Sequence, residues 1–540
     1  MDQTNPGSID PKTGFNSLTK TFHSLRPVID LPQQHDPISV TDFALSNRVI
    51  STNSVALIDS STTHHISYSE FAQLTKSLSS YFQNVTKLSQ HDVAFVLCPK
   101  STKIPILYFS LLSLGIIISP SNPLNTESEI HRQIHLSKPV IAFATSATAH
   151  KLPKLKHSTI LIDSPEFDSL MTTTSYEFER VTVRQSDLAG ILYSSGTTGD
   201  VKAVMLTHGN LTAVVAGFLP EKDSEQVVTL NAVPYFHVYG LIYSLKSVAL
   251  REAVVVVEKF DLKSMLSAVQ EFRVTQLAVA PPAVVEMIKR GLTDGYDLRS
   301  LEDVVSGGAP LGKDVIAAFR TRFPTVSLKQ GYGMTESTGV CSRAISPEES
   351  FCMSSVGRVT TYCIVKIVDP ETNVPLLPGE QGELWISGPM IMKGYVGDPK
   401  ATFVVLTSDR WLRTGDLCYI DKEGYVFVVD RLKDLIKYKG YQVAPAELEQ
   451  LLQSHPEIID AAVVPYPDEE VGEVPFAFVV KHCHSSLNER NIMDYVSKQV
   501  APYKKVRRVA FISSIPKSPS GKILRKDLRK MNFSTSKSRM

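Results

Sequence analysis

The chain has almost no net charge: 56 basic side chains stand against 55 acidic ones over 540 residues, a formal +1 at pH 7. No global field favours nucleic acid or an anionic membrane, so small molecules are the expected partners. Cysteine is sparse as well. Six of them (Cys98, Cys341, Cys352, Cys363, Cys418, Cys483) form no C-x-x-C pair and are scattered over nearly 400 positions, unlike a disulfide framework or a zinc site. Nor is there a long apolar run. The most apolar stretch, Ile104 to Ser119, is broken by Ser110, Ser113 and Gly115 and falls short of the roughly 20 residues of a membrane-spanning helix. It predicts a buried helix followed by a strand. Residues Met1 to Phe15 lack an apolar signal core, so secretion is not expected and a loose arm is. Repeats and low-complexity tracts are absent, and G-x-x-x-x-G-K-[ST] has no match.

What remains is ordinary globular composition, 43% hydrophobic and 21% charged, with length enough for two or more domains. Short β-rich runs, Val254 to Val257 and Gln276 to Ala280, alternate with helical stretches such as Lys263 to Phe272. That alternation predicts α/β layers with mostly parallel sheets, whose near-continuous apolar strands are buried on both faces. A boundary is expected where the apolar run Tyr425 to Val429 meets the charged segment Asp430 to Asp434; beyond it Pro445 opens a helix, Pro445 to Gln453. The expected organisation is a loose arm over 1–20, a large region over 21–431, a small α+β lid over 432–530 and a tail over 531–540. Arg525, Lys526 and Arg529 are expected on a solvated face of that lid.

Chemistry first suggests itself at Ser194-Ser195-Gly196-Thr197-Thr198-Gly199, after the strand-like run Gly190 to Tyr193, with Lys202 three residues on. Hydroxyls and closely spaced amides without bulky side chains can wrap anionic oxygens. Alone, such a cluster is more often a surface turn. In order downstream stand Pro234-Tyr235-Phe236-His237, Gly331-Tyr332-Gly333-Met334-Thr335-Glu336, Arg413-Thr414-Gly415-Asp416, Asp430-Arg431-Leu432-Lys433 and Ser520-Gly521-Lys522. Together these resemble the acyl-adenylate-forming family of acyl-CoA synthetases, luciferases and peptide-synthetase adenylation domains, and within it the plant 4-coumarate:CoA ligase-like enzymes.

The resemblance implies a carboxylate:CoA ligase that uses ATP, Mg²⁺ and coenzyme A, forming an acyl adenylate and then a thioester. A carboxylate is a poor electrophile, and its attack on the α-phosphorus of ATP needs the developing phosphate charge neutralised. By resemblance Ser194 to Gly199, Lys202, Gln330, Gly331, Tyr332, Thr335, Asp416 and Arg431 hold ATP or AMP, and Glu336 holds the magnesium. Asp416 would clamp the ribose and Tyr332 offer a flat face to adenine. Lys522 would bridge the carboxylate and α-phosphate during adenylation, as a flexible ammonium can. Rotation of the lid about Lys433 would then present Lys437 and Gln442 for thioester formation, with Lys259, Lys439 and Gly440 towards coenzyme A. His237, expected to titrate near neutrality, would polarise the thiol or hold the carboxylate.

Tyr239, Tyr243, Gly308, Gly331, Gly339 and Val340 correspond to the acyl pocket. Two depart from the hydroxycinnamate pattern. Tyr243 replaces a serine, changing volume or adding a hydroxyl partner, and Gly339 replaces a proline, enlarging the other wall. The expected acid is hydroxycinnamate-like, or a fatty or oxylipin acid. The final Ser538-Arg539-Met540 resembles a peroxisomal address of the S-K-L type. It implies an import receptor as partner and the peroxisome as compartment, with the cytoplasm as alternative; a monomer is expected. A luciferase-like oxidase, a carrier-loading enzyme and a non-catalytic nucleotide-binding paralogue remain open.

Overall fold

A computed structural model describes residues 8–46, 54–173, 177–195, 201–221, 227–259, 261–289, 291–439, 441–518 and 521–537. Two large sheets carry the parallel strands that the apolar runs predict. In the seven-stranded sheet Ile160–Leu161, Ile141–Ala144, Val93–Leu97, Ile117–Pro120 and Leu188–Ser195 run parallel, and Val201–Thr207 returns antiparallel to the last of them. In the nine-stranded sheet the parallel core is Val55–Asp59, Ala253–Val256, Val228–Asn231, Gln276–Val279, Asp303–Gly307 and Ser327–Tyr332, with antiparallel edges. Their strands are buried on both faces, Val93–Leu97 and Ala253–Val256 at every position.

The expected helix and strand across Ile104 to Ser119 are Lys103–Ser113 and Ile117–Pro120. No helix among the described residues is long and apolar enough to cross a membrane. The helix expected at Lys263 to Phe272 runs Leu262–Glu271, one residue earlier, because Asp261 caps it: the amide of Ser264 donates to its carboxylate at 2.9 Å.

A third sheet departs from the parallel expectation. Its six strands, Phe15–Asn16, Thr21–His23, Ile364–Val368, Gly382–Ser387, Leu412–Ile420 and Val426–Arg431, are all antiparallel. Leu412–Ile420 alternates buried and half-buried positions along its length, the pattern of a sheet with one face to the core. This sheet also ties down part of the chain expected as a loose arm. Phe15–Asn16 pairs with Thr21–His23, Lys12 forms an ion pair with Glu423 at 2.8 Å, and Arg358 Nη1 donates to the Lys12 carbonyl at 2.7 Å.

The C-terminal part folds as a small α+β domain on a five-stranded sheet of Tyr441–Val443, Ile436–Tyr438, Gly472–Lys481, Ile458–Asp468 and Arg508–Phe511. Two apolar clusters of its own flank this sheet, one around Leu448, Leu452 and Val479, the other around Phe476, Phe478 and Leu528. The helix Pro445–Gln453 matches expectation, with proline at the start where its missing N–H leaves no bond unmade. Arg525 is not solvated as expected. Its guanidinium donates to both carboxylate oxygens of the buried Glu449 at 2.7 Å, and Arg529 approaches Asp434 at 3.4 Å. Both bonds come from Nη2, and Nε donates to the Val463 carbonyl at 3.4 Å; charge-assisted bonds of this kind are how a carboxylate tolerates burial.

Candidate active site

A cavity of about 420 Å³ opens at the carboxyl ends of the parallel strands of both large sheets, where α/β layers leave a crevice. Leu188–Ser195 delivers Ser194, Asp303–Gly307 ends at Gly307-Gly308, Ser327–Tyr332 delivers Gly331-Tyr332, and the chain after Val228–Asn231 delivers Phe236 and His237. Ser518 and Lys522 of the small domain close the same cavity.

The polar end is organised around Glu336. It is buried, on the single turn Thr335–Ser337, and Ser194 Oγ and Tyr395 Oη both donate to its Oε1 at 3.0 Å. The backbone allows this because Gly333 has no side chain: a Cβ there would stand 1.4 Å from the carbonyl oxygen of Gly339. Lys202 is in register with Ser194 across the hairpin, and its ammonium lies 4.7 Å from the centroid of the Tyr395 ring. Thr335 lines the cavity beside Glu336. Gly196, Thr197, Thr198 and Gly199 lie outside the described residues, and of Ser195 only the backbone, in its strand, is described.

Asp416 and Arg431 face one another in neighbouring strands, with Arg431 Nε 3.2 Å from Asp416 Oδ1. Tyr332 Oη donates to Asp416 Oδ2 at 2.5 Å, and burial beside that carboxylate pushes the phenol well above its ordinary range. Arg431 and Tyr332 line the cavity; Asp416 stands behind them and is buried. Gln330 is set back too, donating to the Ser355 carbonyl at 3.0 Å.

Lys522 sits on a hairpin whose turn needs a glycine. Gly521 has φ +82°, and Lys517 and Ile523 pair across it. Burial, with Arg431 nearby, lowers the Lys522 ammonium to about 8. His237 caps the helix Val238–Leu250 with its ring: Nδ1 accepts from the Tyr239 amide at 3.2 Å. Burial, and then Lys522, pull His237 down to about 4. It does not titrate near neutrality as expected. At neutral pH the ring is uncharged, and with Nδ1 accepting, Nε2 carries the hydrogen.

Below His237 the walls are aromatic. The Tyr239 and Tyr243 rings meet edge to face at 4.8 Å, Phe218 meets Tyr243 at 6.2 Å, and Tyr239 Oη donates to the Val305 carbonyl at 3.2 Å. Gly308, Gly331, Gly339 and Val340 line the same space, and Gly339 holds φ +104°.

The thioester-face residues are elsewhere. Lys437 and Gln442 pair across the hairpin of Ile436–Tyr438 and Tyr441–Val443, both exposed and neither lining the cavity. Lys439 is exposed on the same hairpin, Lys259 is exposed after the strand Ala253–Val256, and Gly440 lies outside the described residues. Lys433 sits on the turn Leu432–Asp434, between the six-stranded sheet and the C-terminal one.

Residues 49–396 match the model of the AMP-binding enzyme family, and residues 447–522 match the model of its C-terminal domain. The chain belongs to the AMP-binding enzyme family. Within it, the chain is 47% identical to 4-coumarate--CoA ligase-like 9 of Arabidopsis thaliana, over 97% of both proteins. It is 44% identical to peroxisomal OPC-8:0-CoA ligase 1 of the same plant, over 98% of this chain and all of that one. The o-succinylbenzoate CoA synthetase of Bacillus subtilis, solved with its acyl-adenylate intermediate, superposes with a TM-score of 0.80 at 26% identity, covering 90% of this chain and 97% of that one. The protein is an AMP-forming acid–thiol ligase, with ATP, a carboxylic acid and coenzyme A as its substrates.

Among the residues of the ligase's cavity that escaped sequence reasoning are Tyr395, Phe218 and Arg343. Tyr395 belongs to the two-residue strand Gly394–Tyr395 and reaches Glu336 from 59 positions away. No local pattern marks it.

Proposed function

We propose that the ligase activates an acid with an extended aromatic or apolar body, hydroxycinnamate-like or of the fatty and oxylipin kind, and that its acyl chain occupies the aromatic end of the cavity. The observation that carries this reading is the wall of Tyr239, Tyr243 and Phe218 running on from the end where His237 and Lys522 meet. An apolar cleft with a few convergent polar groups suits such a body. The name of the relative that acts on OPC-8:0 supports the oxylipin branch.

In the first half-reaction the acid's carboxylate attacks the α-phosphorus of ATP and pyrophosphate leaves. Lys202 and Lys522 neutralise phosphate charge, Lys522 bridges the two reacting groups, and Arg431, held in place by Asp416 behind it, holds the ribose near Tyr332. His237, neutral, donates from Nε2 to the acid's carboxylate. Glu336 would hold Mg²⁺, with the Thr335 hydroxyl beside it towards the α-phosphate. Among the described residues no group of three or more His, Cys, Asp or Glu could hold an ion, but one carboxylate fits a cation that keeps its waters and takes further oxygens from phosphates. When bound it supplies charge neutralisation on those phosphates.

In the second half-reaction the thiol of coenzyme A attacks the acyl carbonyl and AMP leaves. Lys522 lines the cavity while Lys437 and Gln442 face solvent, which supports a rotation of the small domain about Lys433 between the steps, bringing Lys437, Gln442, Lys439 and Gly440 to the site. The ending Ser538-Arg539-Met540, outside the described residues, and the peroxisomal name of the 44% identical relative support import into the peroxisome. We expect the ligase to act as a monomer. Incubating it with ATP, coenzyme A and a panel of cinnamic, fatty and oxylipin acids should yield acyl-CoA and AMP, fastest for long or aromatic acids. Preference for short acids such as acetate would overturn the substrate reading, and release of ADP the mechanism.

A further inference from the structure

The helix Pro445–Gln453 of the small domain does not cap itself. Its N-cap residue is Ala444, which has no side-chain oxygen, and because Pro445 carries no N–H the first helical amide is that of Ala446. The acceptor comes from the large domain instead. Asp430 Oδ2 accepts from the Ala446 amide at 2.8 Å, while Oδ1 accepts from the Arg431 amide at 2.7 Å. Asp430 belongs to the strand Val426–Arg431, paired with Leu417 in the six-stranded sheet, and precedes the turn Leu432–Asp434 that carries Lys433. Ala446 follows that turn, so the bond spans it. Both residues are buried. Burial raises the Asp430 carboxyl, and Arg525, also of the small domain, opposes the rise. The same orientation seats the hairpin of Lys522, where a Cβ on Gly521 would stand 2.9 Å from Cδ of Pro282 in the large domain.

A carboxylate at a helix N-terminus satisfies an amide that burial would otherwise leave unpaired, and it meets the positive end of the helix dipole. A capping side chain on the helix itself would do so in any orientation of the small domain. One on the far side of the turn does so in a single orientation, here the one in which Lys522 lines the cavity. Turning the domain about Lys433 carries Ala446 away from Asp430 and breaks the bond.

We propose that Asp430 is a positioning residue for adenylation, holding the small domain in the orientation that presents Lys522 by capping the helix Pro445–Gln453 from across the turn. This rests on the reading that the domain rotates about Lys433 between the half-reactions. The test reads the orientation directly, by pulsed electron resonance between spin labels on Cys483, exposed on the small domain, and at K400C, exposed on the large one, in the full-length ligase carrying C352S. With Asp430 in place and no ligand one distance should dominate, and a second should grow when coenzyme A and AMP are added. In ligand-free D430A the ratio of the first population to the second should fall by about 10- to 100-fold, the range of one hydrogen bond to a charged group, and in D430N by less. Ala444→Ser supplies a cap that travels with the helix, so D430A/A444S should regain the Tm lost in D430A and not the ratio. ATP–pyrophosphate exchange should fall with the first population, while thioester formation from prepared acyl adenylate should not. A D430A distribution matching that of the unaltered chain, or a double variant in which ratio and Tm return together, would overturn the role of Asp430 alone. If no second distance arises in any of these chains with coenzyme A and AMP, the rotation reading fails as well.

Discussion

Lys522 should impose a pH limit on one half-reaction and not on the other. Its ammonium is lowered to about 8 by burial and by Arg431, so about nine-tenths of it is charged at pH 7 and about one-tenth at pH 9. Only the charged form can bridge a carboxylate and a phosphate. Adenylation measured as kcat/KM for ATP, by ATP–pyrophosphate exchange, should therefore be level from pH 6 to near 8 and fall about tenfold per unit above that. An ordinary lysine would hold the plateau to beyond pH 10. Once ATP is bound, its negative phosphates favour the ammonium, so the break in kcat should lie higher than the break in kcat/KM. His237, at about 4, should add no second break between pH 5 and 9. Lys522→Ala removes one charged donor aimed at the developing charge, a loss of about 3 kcal/mol, or 10²- to 10³-fold, on the scale of one preorganised donor. The alanine variant should also lose the break. Thioester formation from chemically prepared acyl adenylate should stay within a few-fold and show no break at pH 8. A break that persists in the variant, or an equal loss in both half-reactions, would refute the assignment of Lys522 to adenylation.

The opposite pattern is expected of Lys437→Ala: pyrophosphate exchange unchanged within about twofold, and thioester formation from acyl adenylate reduced by tenfold or more. Gly339 holds φ +104°, and a Cβ there would stand 3.4 Å from Ile242. Gly339→Ala should therefore cost about 1–3 kcal/mol, read as a lower Tm, and raise KM for bulky acids. Arg525→Met leaves the Glu449 carboxylate buried without its cationic partner and should destabilise the small domain by about 3–5 kcal/mol, seen as early proteolytic loss of the C-terminal domain; a double variant with Glu449→Leu should recover most of it.

The helix Pro445–Gln453 could be read residue by residue because its start signal is local: a proline where no N–H is needed. The buried strands Ala253–Val256 and Gln276–Val279 could be read because burial on both faces writes an unbroken apolar run. The chemistry came from residue types in a fixed order, with Ser194, Glu336, Asp416 and Lys522 each in a motif that resembles one family. Order along the chain was enough for the reaction class, because the reaction dictates which groups must be present.

Distances and environments could not be read in that way. Ser194 meets Glu336 across 142 positions and Tyr395 joins them from 59. A hydrogen bond of that separation leaves no periodic trace. His237 looked like a group titrating near neutrality, and only packing around it, with Lys522 beside it, lowers it to about 4. Arg525 looked solvated until Glu449 stood opposite. Sequence alone determined that this chain adenylates an acid and passes it to coenzyme A, since that follows from which donors and acceptors it carries. What surrounds the acid was decided only by the tertiary structure, because desolvation and shape are properties of neighbours that the chain brings together by folding.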